Sequence, residues 1–339
     1  MARATIKDIA ARANVSPMTV SNVINGRRAK ATDETVERIM AAVKALDYRP
    51  NMSARSLVSN ASKMVGVIIP FTEDQNQLLL DNPFYAEMLS GVESALRAAG
   101  YYMMLSGVGG PDPHLDTLSH WNVDALIVLG VYREGLFDQI RALNVPTLLI
   151  DSYIDDPEFY HLGINDEAAA FAATRYLIDK GHTGIALATG VIRTDGVVER
   201  RVAGYRRALG EAGIGFDPDR ILSGSVTFEW GVEAAARLVE LPGTTAAFCT
   251  ADLLAAGLLA GLHKLGKRIP DDYSVMGFDN LSVSRMVYPA LTTVDQSILE
   301  KGQRAGRLIA AILGKQQPER KTLIPVSIVE RDSVGTRGR

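Results

Sequence analysis

The sequence predicts an N-terminal three-helix head of the helix-turn-helix type, a hinge helix, and an α/β body of two doubly wound subdomains. Three observations carry this. Residues 5–26 hold two short amphipathic patterns separated by a tight turn. The charge changes sign between the head and the rest of the chain. From Met64 onward, short apolar runs alternate with helical ones, the pattern of parallel sheets covered on both faces. The boundaries expected are 1–50 for the head, 51–63 for the hinge and linker, and 64–339 for the body.

In the head, Ile6, Ile9, Ala10 and Ala13 share one helical face, and Val20, Val23 and Ile24 share another. Ser16 stands where an N-cap belongs. Pro17 follows at the first helical position, where its missing N–H costs nothing. Thr32-Asp33-Glu34 opens a third helix as a cap followed by two acids. Val36, Ile39, Met40, Val43 and Leu46 mark its apolar stripe, and Arg49-Pro50 ends it. Residues 51–59 have modest helix tendency and are too short to be stable as a helix alone.

In the body, strands are expected over 64–70, 101–105, 125–129, 146–150, 184–188, 246–250 and 273–278, with a last one over 322–329. Helices are expected over 84–99, 165–180, 198–212 and 252–265. These strands are too many for one compact sheet, so two subdomains are expected.

Composition narrows the class. At 339 residues and 47% hydrophobic content the chain has ample material for two or three cores. Residues 1–63 carry 11 Lys or Arg against 5 Asp or Glu, a net of +6, and the remainder carries 25 against 34, a net of −9. A basic head on an acidic body is the footprint of a nucleic-acid binder. The single cysteine, Cys249, lies in an apolar run that reads as a buried strand; it excludes an intramolecular disulfide and suits a reducing cytoplasm. The N-terminus lacks the apolar stretch of a signal peptide, and no segment has transmembrane length, so a cytoplasmic protein with no membrane partner is expected.

The second helix of the head is the expected DNA reader, since in this motif it enters the major groove. Met18 and Asn22 are four residues apart with Thr19 beside them, opposite the apolar face. An asparagine can bond adenine with two contacts, and methionine or threonine methyls can touch thymine methyls. Thr5, Ser21 and Asn25 are expected on phosphates, which fix register without reading sequence.

The run Thr5 to Asn25, then Tyr48-Arg49-Pro50-Asn51 and Ala54-Arg55-Ser56-Leu57, resembles the head and hinge of a lactose-repressor (LacI/GalR) family regulator. Lys180-Gly181-His182, Arg201-Val202-Ala203-Gly204-Tyr205, Gly277-Phe278-Asp279-Asn280 and Pro289-Ala290-Leu291-Thr292-Thr293-Val294 agree, in the family's order. The resemblance covers essentially the whole chain. It implies a periplasmic-binding-protein-like body that binds a ligand between its subdomains, and a hinge that orders on operator DNA. It places base reading on Pro17, Met18 and Asn22, puts Arg55 in the DNA-binding hinge, and makes Leu57 a minor-groove wedge. No heptad tail follows the last strand, so a homodimer on a pseudo-palindromic operator is expected rather than a tetramer.

For the ligand, Asp151 and Asp279 each end a predicted strand, the edge where open α/β sheets bind small molecules. Arg201 lies near the start of a helix. An arginine fork with carboxylates can satisfy sugar hydroxyls, and the arginine can also meet a ligand carboxylate. By resemblance, Arg201 and Asp279 match the family's most typical ligand contacts, and Phe84 and Tyr85 the aromatic edge of the cleft. The expected effector is a sugar or sugar acid, with a purine-type corepressor or a plain sugar-binding role as alternatives. Trp230 is either a sugar-stacking platform or the start of a helix. His182 is either a helix-terminal cation or a packing group. Residues 72–80 lengthen the loop before Asn82-Pro83-Phe84, as a lid over the cleft or as a dimer contact.

No catalytic function is expected. Walker, GxGxxG, GxSxG and His-Glu-x-x-His motifs are missing. His114, His120, His161, His182 and His263 have no zinc-like spacing, so no metal or cofactor is expected.

Overall fold

The structure, a computed structural model, describes residues 4–26, 31–48, 61–70, 78–108, 122–133 and 135–338. The chain divides into two compact units, residues 1–62 and 63–339. The hinge expectations, Arg55 and Leu57 included, lie outside the described residues, as do His114, His120 and residues 72–77 of the lengthened loop.

The head holds α1 (Ile6–Ala13), α2 (Pro17–Ile24) and α3 (Asp33–Ala45). Each begins on a side-chain cap: Thr5 in a reciprocal capping box with Asp8, Ser16 ahead of Pro17, and Thr32 ahead of two acids. Asn14, at φ +51°, reverses the chain after α1, a conformation that asparagine tolerates better than most residues. Ile9, Ala10, Ala13, Val20, Val23, Ile39 and Ala42 are buried together as one small core. Met40, expected in the stripe of α3, is instead 44% exposed at its edge.

The body contains two six-stranded sheets among the described residues. The first, in the N-subdomain, uses β1 (Met64–Pro70), β2 (Tyr102–Val108), β3 (Ala125–Leu129), β4 (Thr147–Ile150), β5 (Tyr160–Gly163) and β11 (Lys321–Leu323) in the order β11-β5-β4-β3-β1-β2. Every pairing in it is parallel. The second, in the C-subdomain, uses β6 (Ile185–Thr189), β7 (Ile221–Ser223), β8 (Ala246–Cys249), β9 (Ser274–Asp279), β10 (Thr292–Asp295) and β12 (Ser327–Val329) in the order β12-β10-β9-β8-β6-β7. It is parallel except where β12 pairs with β10. The interior of β1, β3, β4, β6, β8 and β9 is buried almost throughout, as strands covered on both faces must be.

Helices α4 (Pro83–Ala98) and α5 (Gly135–Ala142) belong with the first sheet. Helices α6 (Asp166–Asp179), α7 (Val197–Glu211), α8 (Phe228–Glu240), α9 (Asp252–Lys264) and the short α10 (Val283–Met286) belong with the second. Helix α11 (Ile298–Leu313) returns to the first sheet and lies along α4. Their approach depends on glycine: a Cβ on Gly302 would strike the Met88 carbonyl, and one on Gly91 the Leu299 carbonyl. Among the described residues, no helix is long and apolar enough to cross a membrane.

The chain crosses between subdomains at 164–165, 296–297 and 324–326. The third crossing corrects the expected single strand over 322–329. That run is two short strands, one in each sheet, with Ile324-Pro325-Val326 carrying the chain across. Proline cannot donate to a ladder, which explains the break. The short strands β5 and β7 were not expected either. Tyr160-His161-Leu162-Gly163 mixes polar and apolar residues, and β7 spans three residues.

Candidate functional site

On α2, Pro17 and Met18 are exposed, Met18 by 70%, while Val20 and Val23 are buried; Asn22 and Ser21 are half-buried and Asn25 is exposed. The caps already engage some expected phosphate ligands. The Thr5 hydroxyl donates to Asp8 Oδ2 at 2.8 Å, and the Asp8 amide donates back to it at 3.4 Å. The Thr19 and Ser16 hydroxyls are hydrogen-bonded at 2.9 Å, and Asn25 Nδ2 donates to Ser21 Oγ at 3.3 Å. The surface left for a partner is apolar at Met18 and amide-bearing at Asn22.

In the body, a cavity of about 170 Å³ opens between the two sheets, lined by Phe84, Tyr85, Asp151, Arg201 and Asp279 together. All five expected effector residues therefore share one pocket. Asn82 caps α4 by accepting from the Phe84 amide at 3.0 Å, which fixes where Phe84 and Tyr85 begin the helix. Their rings meet edge to face, centroids 5.5 Å apart. Leu78 and Leu79, from the end of the lengthened loop, also line the pocket, which places that end at the cleft.

Arg201 stands on the first turns of α7, 8% exposed. Its Nε donates to Asp166 Oδ1 at 2.8 Å, its Nη1 donates to the Thr250 carbonyl at 2.6 Å, and its guanidinium lies 3.8 Å from the centre of the Phe278 ring. Nη2 has no partner among the described residues and remains for a ligand. Burial alone would lower this guanidinium's pKa, but Asp166 and Asp279 outweigh it and hold the pKa above its ordinary value. Asp166 is itself held by the Tyr153 hydroxyl, which donates to Oδ2 at 2.8 Å.

The two candidate carboxylates sit on unusual backbone. Asp151, just past β4, has φ +51°, a left-handed conformation that aspartate tolerates better than most residues, and Asp279, ending β9, has φ +124°, a region that only glycine enters freely. Such strain persists only where the surroundings impose it. Burial pushes the Asp279 carboxyl up to about 7, against the opposite influence of Arg201 and of Gln296, whose Nε2 donates to Oδ1 at 2.5 Å. Asp151 accepts from Lys301 Nζ through both oxygens, at 2.9 and 3.0 Å. Two stacked pairs flank this arrangement, Arg193 over Tyr132 at 5.4 Å and Arg200 over Tyr153 at 5.0 Å. In each, the arginine comes from the C-subdomain and the tyrosine from the N-subdomain.

Lys301, Gln296, Asp166 and Tyr153 were not anticipated. One signal existed for Lys301. In α11 the buried positions are Ile298, Lys301, Gly302, Ala305, Gly306 and Ile309, a helical core stripe with a lysine in it. Trp230 lies outside the pocket lining; it sits in the first turn of α8 against Gly224, with Arg237 over its ring. His182 is a packing group: it is buried, bonded to Thr245 Oγ1 and the Gly335 carbonyl, and burial lowers its pKa. Cys249 is buried in β8, and burial pushes its thiol up.

The family model for bacterial regulatory proteins of the lacI family matches residues 5–51, and that for a periplasmic binding protein-like domain matches residues 174–334. The HTH-type transcriptional repressor PurR of Vibrio atlanticus is 35% identical over 341 residues, covering 98% of this chain and 99% of that protein. The ribose operon repressor of Haemophilus influenzae is 33% identical, covering 98% of each. Among solved structures, a complex of the transcriptional regulator CelR with cellobiose is 29% identical with a TM-score of 0.72, covering 98% of this chain and 100% of that one. The lac repressor dimer bound to operator and an anti-inducer has a TM-score of 0.83 at 24% identity over the same shares, a likeness of fold.

Proposed function

This chain belongs to the lacI family of bacterial regulatory proteins, and we propose that it acts as a homodimeric repressor whose hold on an operator is set by a sugar or sugar acid bound in the body cleft. In this reading residues 1–50 read DNA, 51–63 form the hinge and 64–339 bind the effector and dimerise, in the cytoplasm and by binding alone. Pro17, Met18, Thr19 and Asn22 face base edges. Thr5, Ser21 and Asn25 hold phosphates, and Arg55 and Leu57 engage DNA from the hinge.

The observation that carries the effector reading is the pocket wall. Arg201 keeps Nη2 for the ligand, Asp151 and Asp279 offer acceptors from opposite subdomains, and Phe84 and Tyr85 supply an apolar edge. A hydroxylated ring accepts from the arginine and donates to both carboxylates, drawing the subdomains together. Such a ligand shifts operator affinity by its differential affinity for the two arrangements of the body. The aromatic edge also favours a second reading, a purine base stacked on Phe84.

A thermal-shift panel of sugars, sugar acids, sugar phosphates and purine bases tests this, repeated on Arg201→Ala. A ligand at about a thousand times its Kd stabilises by roughly 4 kcal/mol. The expected hit is a sugar or sugar acid whose shift disappears in Arg201→Ala, and which changes operator affinity in a binding assay. A hit that survives the substitution would sink the pocket assignment.

A further inference from the structure

Lys301 is completely buried, in a helix stripe where every neighbouring buried position is apolar or glycine. Burying an ammonium is costly unless it is paired and fully hydrogen-bonded. Here it donates to both oxygens of Asp151 and, at 2.5 Å, to Gln296 Oε1. Because Gln296 accepts from Lys301 through its oxygen, its amide nitrogen must point the other way, where it donates to Asp279. Lys301 thus stands behind the pocket and holds, directly or through Gln296, the candidate carboxylates of both subdomains.

The charge balance of the pocket follows. Its two buried cations are each already matched, Arg201 by Asp166 and Lys301 by Asp151. Asp279 has no ion-pair partner among the described residues, and its carboxyl lies near 7, so it adds at most one negative charge. Arg193 and Arg200 are not themselves among the lining residues; Arg193 stacks on Tyr132, which lines the pocket, and Arg200 on Tyr153, which does not. Within the pocket lining, then, no uncancelled positive charge remains to greet an anion.

From this we infer that Lys301 is a specificity-determining residue: by cancelling Asp151 from behind, it makes the pocket one for an uncharged polyhydroxylated ligand and closes it to sugar acids and sugar phosphates. The inference rests on the cleft being the effector pocket and narrows the ligand class given above. Asp151 still lines the cavity while bonded to the ammonium, so ligand hydroxyls can donate to its oxygens there.

The test uses Asp151→Asn, which keeps the shape but leaves Lys301 uncompensated, with D-gluconate, glucose 6-phosphate and inorganic phosphate as probes. The wild type should show no thermal shift with these anions. Asp151→Asn should gain one of about 3–5 °C at ten times the Kd of the bound anion. Adding Lys301→Met to that variant should abolish the gain. Should Asp151→Asn not fold, Lys301→Met alone removes the cation while keeping the helix face apolar. It should be stabilised more by protonated glucosamine than by glucose, a preference the wild type lacks. An anion that stabilises the wild type and loses that effect in Arg201→Ala overturns the inference, as does an Asp151→Asn protein indifferent to all three anions. The sugar reading fails separately. If no neutral sugar shifts the wild type while Asp151→Asn gains anion binding, the charge role of Lys301 stands and the ligand is another uncharged molecule.

Discussion

The head and the body present their candidate sites in opposite ways. On α2 the partner-facing residues lie within one eight-residue helix, outward from a core of seven buried side chains, and their relation to one another is set by helical geometry alone. In the body, Asp151, Arg201, Asp279, Gln296 and Lys301 come from segments up to 150 residues apart and meet because two sheets and three crossings bring them together. The first kind of site survives as long as its helix does. The second is a network of buried charges, each member dependent on its neighbours' hydrogen bonds. The molecule thus pairs a locally specified reader with a globally specified sensor.

If that contrast is right, damage to the head should leave the sensor intact. Ile39→Ala empties a fully buried position in the small core and should cost the head about 2–5 kcal/mol. Operator binding should be largely lost while the thermal shift of the body with its ligand is unchanged, as melting curves and a mobility-shift assay would show. Loss of both responses would mean that the two units do not fold separately. A gentler probe is Asn22→Ala, which leaves the fold alone and should weaken specific operator binding by about 1–3 kcal/mol. Nonspecific binding should stay at the wild-type level; an equal loss on random DNA would reassign Asn22 from base reading to backbone contact.

The smallest effect expected sharpens the body side of the comparison. Because the folded carboxyl of Asp279 titrates near 7, above its ordinary value, the folded state holds that proton more tightly than the unfolded chain. The resulting stabilisation is present below about pH 4 and fades as pH rises toward 7. The melting temperature of the wild type relative to Asp279→Asn should therefore fall across that window. A difference that stays flat or rises would show the carboxyl to be ionised throughout.

What the sequence disclosed follows the same division. The three helices of the head were legible from caps and periodicity, because Ser16, Pro17 and Thr32 act within one turn of where they stand. The long buried strands were legible too, as was the place of Asp151 and Asp279 at strand ends, while Arg201 came through the resemblance to the family; all three share one cavity. The place of Lys301 in a core stripe was a signal, but its partner and the role of Gln296 were not legible, since nothing near position 301 says that position 151 will meet it. The same limit produced the misread strand over 322–329: a run of strand-forming residues looks continuous until the sheets that divide it are known.

The left-handed backbone at Asp151 and Asp279 bears on how this protein responds to selection. A glycine at Asp279 would relieve strain, whereas one at Asp151 would strip the buried Lys301 of its counter-ion, so a library sorted for heat resistance alone would be drawn toward losing the Asp279 side chain. On the effector reading proposed above, the survivors would be sturdier proteins with a fully formed head and a weakened sense of their ligand. Deafness would arrive as an improvement, and only a screen that also demands a response to the effector would keep Asp279 in place.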